Sequence, residues 1–511
     1  MLSLRAGYAL NMAPGGSFWL DTAPSVAPRP SLSGTERCDV AVLGGGIAGV
    51  TTAYLLAAEG VDVVLLEAET IGIGATGNTT AKVSSGHGLC YDPIRRSHDA
   101  ETAAAYAALN ERAIAWIEET AAAESIDCDW RRRTNFTYTI DPGRREDIEA
   151  EAEAGAEAGL AATLVEDTPL PFDVVGAVRL ENQAEFHPVK WLAGLAAAAE
   201  RRGARIFEDS RALQVSSGEP CEVKTESGEL RADRVVVATH YPMLDRALFF
   251  ARLTAQRSYC VGLRGQAAVP EGMFLSIDSP TRSVRSHPTP DGELLIVGGE
   301  GHKSGQEEHT GERFEALESW AAEHFGAAVV AYRWSAQDPV PPDELPYVGA
   351  LVPRSDRLFV ATGFRKWGMT NGTAAAAILR DQLLGRDVGE GATWAANRFD
   401  PIAAGPTLVK ENLNVAAHMI GDRLARPVDA GEIAAGKGAI VRRGLRRAAA
   451  YRDDAGDLHV FGSACTHLGC ELRFIDAERS WDCPCHGSRF DAGDGRVLEG
   501  PAVKPLTALD D

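Results

Sequence analysis

The amino-acid sequence predicts an α/β protein that ends in a small all-β domain, and three stretches carry that prediction. "CDVAVLGGGIAGVTTAYLLAAEGVDVVLLEAE" (38–69) reads as strand, tight turn, helix and second strand. Ala- and Leu-rich segments of helical length follow at 98–124 and 187–203, so helices separate the strands of the larger part. "GAIVRRGLRRAAAYRDDAGDLHVFGSAC" (438–465) alternates apolar and polar residues around turn signals at Gly444 and Asp454–Gly456, the pattern of an antiparallel hairpin.

Length and charge bound the rest. A chain of 511 residues exceeds one ordinary domain, and 45% hydrophobic with 24% charged residues is a normal globular balance. A formal net charge of -21 argues against a nucleic-acid or anionic-membrane binder. Residues 1–35 read as an irregular N-terminal arm without a charged, apolar or twin-arginine leader pattern, and the expected location is cytoplasmic. The weakly polar run Ala41–Ala58 contains Gly44, Gly45, Gly46 and Gly49 in turn spacing, so a buried strand, turn and helix fit it better than a membrane span.

In the first stretch Asp39–Leu43 is an apolar strand, Gly44-x-Gly46-x-x-Gly49 follows at once, and Val50–Glu59 is helical. Gly44 permits the tight turn, Gly46 lets backbone approach a pyrophosphate at the helix N-terminus, and Gly49 lets helix and strand pack closely. Gly45, Ile47 and Ala48 complete the turn, and Glu67 ends the second strand where a carboxylate accepts ribose hydroxyls. No second GxGxxG follows a strand, since "VGGEGHKSGQ" (297–306) lacks the spacing. One permanently held cofactor is therefore expected, and the small and hydroxyl residues Thr76, Gly77, Asn78, Thr79 and Thr80 point to FAD.

Together with "ADRVVVATHYP" (232–242), "DELPYVGA" (343–350) and "LFVATGFRKWGMTNGTAAAAILRDQLLG" (358–385), these residues resemble the FAD-dependent oxidoreductases of the D-amino-acid-oxidase and glycine-oxidase superfamily. The resemblance spans roughly 36–395. It implies a Rossmann-like FAD-binding domain with segments near 36–95, 185–245 and 340–395, interleaved with an α+β substrate domain. It also implies that Gly363, Trp367, Gly368, Met369 and Thr370 face the flavin's pyrimidine edge, and that the substrate is a small amine or amino acid. Tyr347, Arg365 and Trp367 are weak catalytic candidates on this basis, with His87, Lys82 and Lys366 beside them; no general base stands out.

"NRFDPIAAGPTL" (397–408) marks the exit from this part, and 396–430 reads as a linker with a helical connector, "VKENLNVAAHMIGDRL" (409–424). The remaining domain, 431–511, carries "CTHLGC" and "CPCHGS". Five of the nine cysteines are scattered, whereas Cys465, Cys470, Cys483 and Cys485 cluster here, which favours a metal over a disulfide scaffold. A C-x-H pair matched by a C-x-x-H pair fits a Rieske [2Fe–2S] centre, with two Cys on one iron and two His on the other, better than a zinc ribbon. The ligands would be Cys465, His467, Cys483 and His486.

These motifs resemble Rieske domains of the cytochrome bc type. That resemblance implies a disulfide between Cys470 and Cys485, a shielding role for Leu468, a hydrogen bond from Ser488 to a bridging sulfide and a covering loop at Gly500–Ala502. Phe490 stands where the bc-type domains carry a tyrosine donor, so the potential is expected below the top of the roughly −150 to +300 mV range. The run Arg442, Arg443, Arg446 and Arg447 reads as a solvated strand end or as a docking face for an acidic partner.

The two units together predict a dehydrogenase passing electrons from reduced FAD through the cluster to an unidentified external acceptor, with neither a nucleic acid nor a membrane span involved. An NAD(P)H-linked electron-transfer protein and an oxygen-using amine oxidase are the alternatives.

Overall fold

Val40–Leu43 is buried along its whole length, as an apolar run flanked by parallel neighbours must be. The computed structural model describes residues 16–244, 248–352, 356–398 and 427–509. In it, Gly34–Leu43 pairs in parallel with Gly228–Val237 on one side and Val63–Leu66 on the other. Arg205–Phe207 and Leu358–Thr362 extend the sheet, and Tyr347–Ala350 closes one edge antiparallel. Helix Ile47–Ala58 packs against Gly368–Leu383 and Pro188–Arg201. Eleven of its twelve residues are buried, which is why its sequence has no polar face.

The interleaved α+β part is a second, nine-stranded sheet. It runs from Val329–Val340 through Thr254–Arg264, Gly292–Lys303, Arg282–Thr289, Met273–Ser276, Arg131–Thr139 and Gly176–Glu185 to Lys82–Val83, with Ala162–Val165 beside Gly176–Glu185. Apart from Lys82–Val83, which lies in the first nucleotide-binding segment, its strands come from the two gaps between those segments. The C-terminal part is all β: Lys437–Arg443, Arg446–Arg452 and Leu458–Gly462 form one antiparallel sheet, and four short strands from Arg473–Ile475 to Val497–Glu499 form another. The helical connector expected at 409–424 lies outside the described residues.

The expected irregular arm differs near its middle. Phe18–Asp21 is one helical turn whose Phe18 and Trp19 are buried. The Ser17 hydroxyl donates to the Gly77 carbonyl (2.5 Å) and Trp19 Nε1 donates to that of Thr79 (2.7 Å). Two adjacent large aromatics supply enough apolar area to anchor so short a segment.

The C-terminal domain is docked on the larger part through buried polar contacts. Arg257 Nε donates to Glu478 (2.8 Å), and both side chains are 3% exposed. Ser335 and Thr310 hydroxyls donate to the same carboxylate (3.1 and 2.5 Å). Burial raises the Glu478 carboxyl, but Arg257 and Arg489 beside it win and hold it below the usual range. Gln337 Nε2 donates to the Gly487 carbonyl (2.8 Å), Gln306 Nε2 to that of Pro484 (3.2 Å) and Arg211 to that of Val497 (3.1 Å).

Removing one partner of a buried pair strands the other charge, at about 3–5 kcal/mol. Glu478→Ala is therefore expected to destabilise the docked C-terminal domain by about that amount in chemical denaturation. Adding Arg257→Met to it is expected to restore part of the loss.

Candidate active site

The nucleotide-binding turn opens on a cavity of about 1050 Å³, at the upper end of the roughly 300–1,000 Å³ usual for ligand sites. Gly44, Gly45, Gly46, Ile47, Ala48, Glu67, Thr76, Asn78, Thr79 and Thr80 line it, as do Trp367, Gly368, Met369 and Arg365. The glycines are sterically required. Gly44 has φ +107°, and a Cβ there would lie 2.5 Å from the Ala238 carbonyl oxygen. A Cβ on Gly49 would lie 1.9 Å from the Gly44 oxygen, so Gly49 serves packing and does not line the cavity.

Two helices begin at the cavity, Ile47–Ala58 and Gly368–Leu383, and neither N-cap residue, Gly46 or Trp367, supplies a side-chain cap. Their first-turn N–H groups and positive dipole ends thus meet one space from two sides, which suits an anionic ligand. Glu67 accepts from the Gly45 N–H (2.6 Å) and the Glu69 N–H (2.9 Å), and its burial raises its pKa. A dinucleotide-sized, two-ended cavity with a ribose-type acid fits FAD.

Several expected site residues act elsewhere. Tyr347 does not line the cavity; Arg252 and Arg398 sandwich its ring at 4.1 and 4.0 Å, a structural role. Gly77, Gly363 and Thr370 lie behind the wall, the last donating to the Ser84 carbonyl (3.0 Å). His87 is buried between Tyr106 and the Ser84 carbonyl (2.6 Å each) and stacks on Trp367 (4.4 Å). Burial pushes it down to about 3, so it is neutral. Arg365 faces the cavity already paired with Glu344.

The far wall comes from strands Thr254–Arg264 and Gly292–Lys303, which sequence reading left unassigned, including the "VGGEGHKSGQ" stretch. Of the twelve non-glycine residues with positive φ among the described residues, His240, Glu300, Glu344, Arg365 and Lys366 all line this cavity. Backbone strain concentrated at one site is characteristic of functional walls. Lys82 also lines it, donating to the Phe274 carbonyl (2.6 Å) and Ser283 hydroxyl (2.5 Å). Burial, aided by Arg285 and opposed by Cys260 and Glu185, lowers Lys82 to about 7, so its proton exchanges near neutral pH.

The second centre is built by two loops of the C-terminal domain. Cys470 and Cys485 form a disulfide that joins them, with Cα atoms 6.6 Å apart. The His467 and His486 rings lie edge-to-face, 5.2 Å apart at 83°. The thiols of Cys465 and Cys483 are coupled: Cys483, with the His467 N–H and the Ser488 hydroxyl, holds Cys465 below its usual range despite its burial, while Cys465 and burial push Cys483 up. Two coupled thiols and two adjacent imidazoles fit the donor set of a Rieske centre. Ser488 also accepts from the Ala502 N–H (3.0 Å), which fixes the covering loop. Phe490 is fully buried and offers no donor.

The two centres adjoin. Leu498–Val503 of the C-terminal domain line the first cavity. His240, on the cavity wall, donates from Nε2 to the Gln337 carbonyl (2.6 Å), and the Gln337 side chain reaches Gly487, next to His486. A Cβ on Gly487 would lie 2.5 Å from Ala255, so only glycine permits this approach.

Residues 39–382 match the model of the FAD-dependent oxidoreductase (DAO) family, and 427–510 match the Rieske [2Fe–2S] domain. The chain belongs to the FAD-dependent oxidoreductases. Its cofactors are accordingly FAD and a [2Fe–2S] cluster. Over 497 residues this oxidoreductase is 37% identical to the Rieske 2Fe-2S iron-sulfur protein YhfW of Bacillus subtilis (strain 168), covering 97% of both chains. It is 29% identical to gamma-glutamylputrescine oxidoreductase of Escherichia coli (strain K12), over 43% of this chain and 53% of that one. Its fold is similar to glycine oxidase from Geobacillus kaustophilus, with a TM-score of 0.61 and 19% identity over 71% of this chain and all of that one. L-proline dehydrogenase from P. horikoshii gives 0.60 and 17%, over 73% and 98%. No helix among the described residues is long and apolar enough to cross a membrane.

Gly44→Ala is expected to yield a folded oxidoreductase with much reduced FAD content, read from the flavin-to-protein absorbance ratio. For Lys82 the folded pKa of about 7 lies below the unfolded value of about 10.4, so its contribution to stability is complete above that value and declines as pH falls toward 7. Lys82→Met is expected to flatten that part of the pH–stability curve in chemical denaturation.

Proposed function

We propose that the chain is a dehydrogenase that oxidises a small amine or amino acid in the flavin cavity and sends the electrons through its C-terminal cluster to an external acceptor. The observation that carries this reading is that the C-terminal domain supplies part of the cavity wall, Leu498–Val503, and is tied to it through Gln337. When bound, FAD would supply a two-electron hydride acceptor for the carbon beside the substrate nitrogen, and the Rieske cluster a one-electron carrier.

The chain's own residues do the positioning. Trp367, braced from behind by His87, holds one wall rigid. The N-terminus of Gly368–Leu383 favours negative charge developing next to it. Arg365 offers a planar fork for a carboxylate, held in place meanwhile by Glu344. Lys82 can take up or release a proton in the working range. Similarity to an oxidoreductase of gamma-glutamylputrescine and the fold shared with glycine oxidase and L-proline dehydrogenase support an amine or amino-acid substrate. A cytoplasmic location belongs to the same reading: Cys38, Cys90, Cys128, Cys221 and Cys260 are buried thiols, and the one disulfide among the described residues, Cys470–Cys485, joins the two cluster loops.

Anaerobic mixing of the holoenzyme with an amine and amino-acid panel is expected to bleach the flavin, followed by the signal of the reduced cluster in electron paramagnetic resonance. Gln337→Leu is expected to leave bleaching unchanged and to slow the cluster signal. His486→Ala should bleach but lose turnover with one-electron acceptors. Prompt bleaching by NADH with none by any amine would overturn the reading, as would full turnover in His486→Ala.

A further inference from the structure

The iron–sulfur centre has an inner and an outer side. On the inner side, Leu498–Val503 line the flavin cavity, and Phe250 of the larger part lies edge-on to both imidazoles, at 6.1 Å from His467 and 5.4 Å from His486. Among the four ligand positions, Cys465, Cys483 and His486 are buried and His467 alone is half-exposed. Its chain neighbours Thr466 and Leu468 are both exposed, Leu468 at 42%.

Exposed cations lie on the segments tied to the loop of His467. On one flank the turn of the hairpin Lys437–Arg452 exposes Arg442, Arg446 and Leu445, the last at 96%. Arg447 ties this hairpin to the first cluster loop through both oxygens of Glu471 (2.6 Å each), next to Cys470. On the other flank the Thr466 hydroxyl donates to the Lys504 carbonyl (2.7 Å), which brings exposed Lys504 alongside. Arg442, Arg446 and Lys504 have no acidic partner among the described residues, and Arg447 already engages Glu471. The chain as a whole holds 72 acidic against 51 basic residues. Among the described residues, cations without a carboxylate partner on the segments tied to this ligand loop are thus set against a negative background.

We infer that this face, with Leu468 at its centre and Arg442 and Lys504 at its rim, docks a small acidic one-electron carrier protein. An acidic carrier is repelled by the net charge of -21 elsewhere and drawn to this patch, so charge orients the encounter. The inference rests on the proposed function for what is exchanged. One electron leaves the reduced cluster for the oxidised carrier, no bond or proton moves, and two carriers are reduced per substrate oxidised.

The test uses the full-length holoenzyme, with plant-type [2Fe–2S] ferredoxin as the acidic probe, cytochrome c as a basic one and phosphatidylserine vesicles as an anionic surface. Calorimetry at low salt is expected to detect ferredoxin binding that weakens as salt rises. Arg442→Glu with Lys504→Glu is expected to weaken it by at least about tenfold. The same variant is expected to keep the wild-type cluster signal, flavin bleaching and ferricyanide reduction. Unchanged ferredoxin affinity in the variant, no binding by the parent, or a preference for cytochrome c or vesicles would each overturn the inference. If no amine bleaches the flavin but charge reversal still abolishes ferredoxin binding, the docking face stands and the substrate reading falls.

Discussion

A buried guanidinium and a buried carboxylate, Arg257 and Glu478, fix where the C-terminal domain sits, and the rest of the redox architecture follows from that placement. Desolvating two charges is costly unless every remaining lone pair and proton finds a partner. Ser335 and Thr310 donate to the carboxylate and Ser335 accepts from the guanidinium, while Arg257 Nη1 lies 3.9 Å from Glu499 without a hydrogen bond among the described residues, so the pair favours one docking geometry. That geometry brings the covering loop of the cluster onto the mouth of the flavin cavity and the Gln337 side chain onto Gly487. A domain free to rock would lose both contacts at once.

Rigidity recurs around the cavity. The short Phe18–Asp21 turn clips the loop Gly77–Thr79, which contributes hydroxyls to the wall. Five side chains on strained backbone line the same space, and such conformations persist only where neighbours over-determine them. His240 shows how: its φ is +63°, its ring is held by the Gln337 carbonyl and its own carbonyl by the Thr362 hydroxyl (2.6 Å). The same residue thus joins cavity strain to the interdomain bridge.

Sequence by itself determined the two chemistries. In GxGxxG and in the C-x-H and C-x-x-H pairs, the functional atoms lie within one or two turns of chain, so spacing is already geometry. The strands and helices of the nucleotide-binding unit and of the C-terminal hairpins were legible for the same reason, because burial on one or both faces writes a period into the residues. Only the tertiary structure decided the far wall of the cavity, the burial of Phe18 and Trp19 and the fate of Tyr347. Each of these depends on partners distant in sequence: Tyr347 reads as a site residue from its motif, yet Arg252 and Arg398 claim its ring. The contact between the two centres was equally illegible. It depends on a charge pair 221 residues apart in sequence, whose members become neighbours only when both domains are folded.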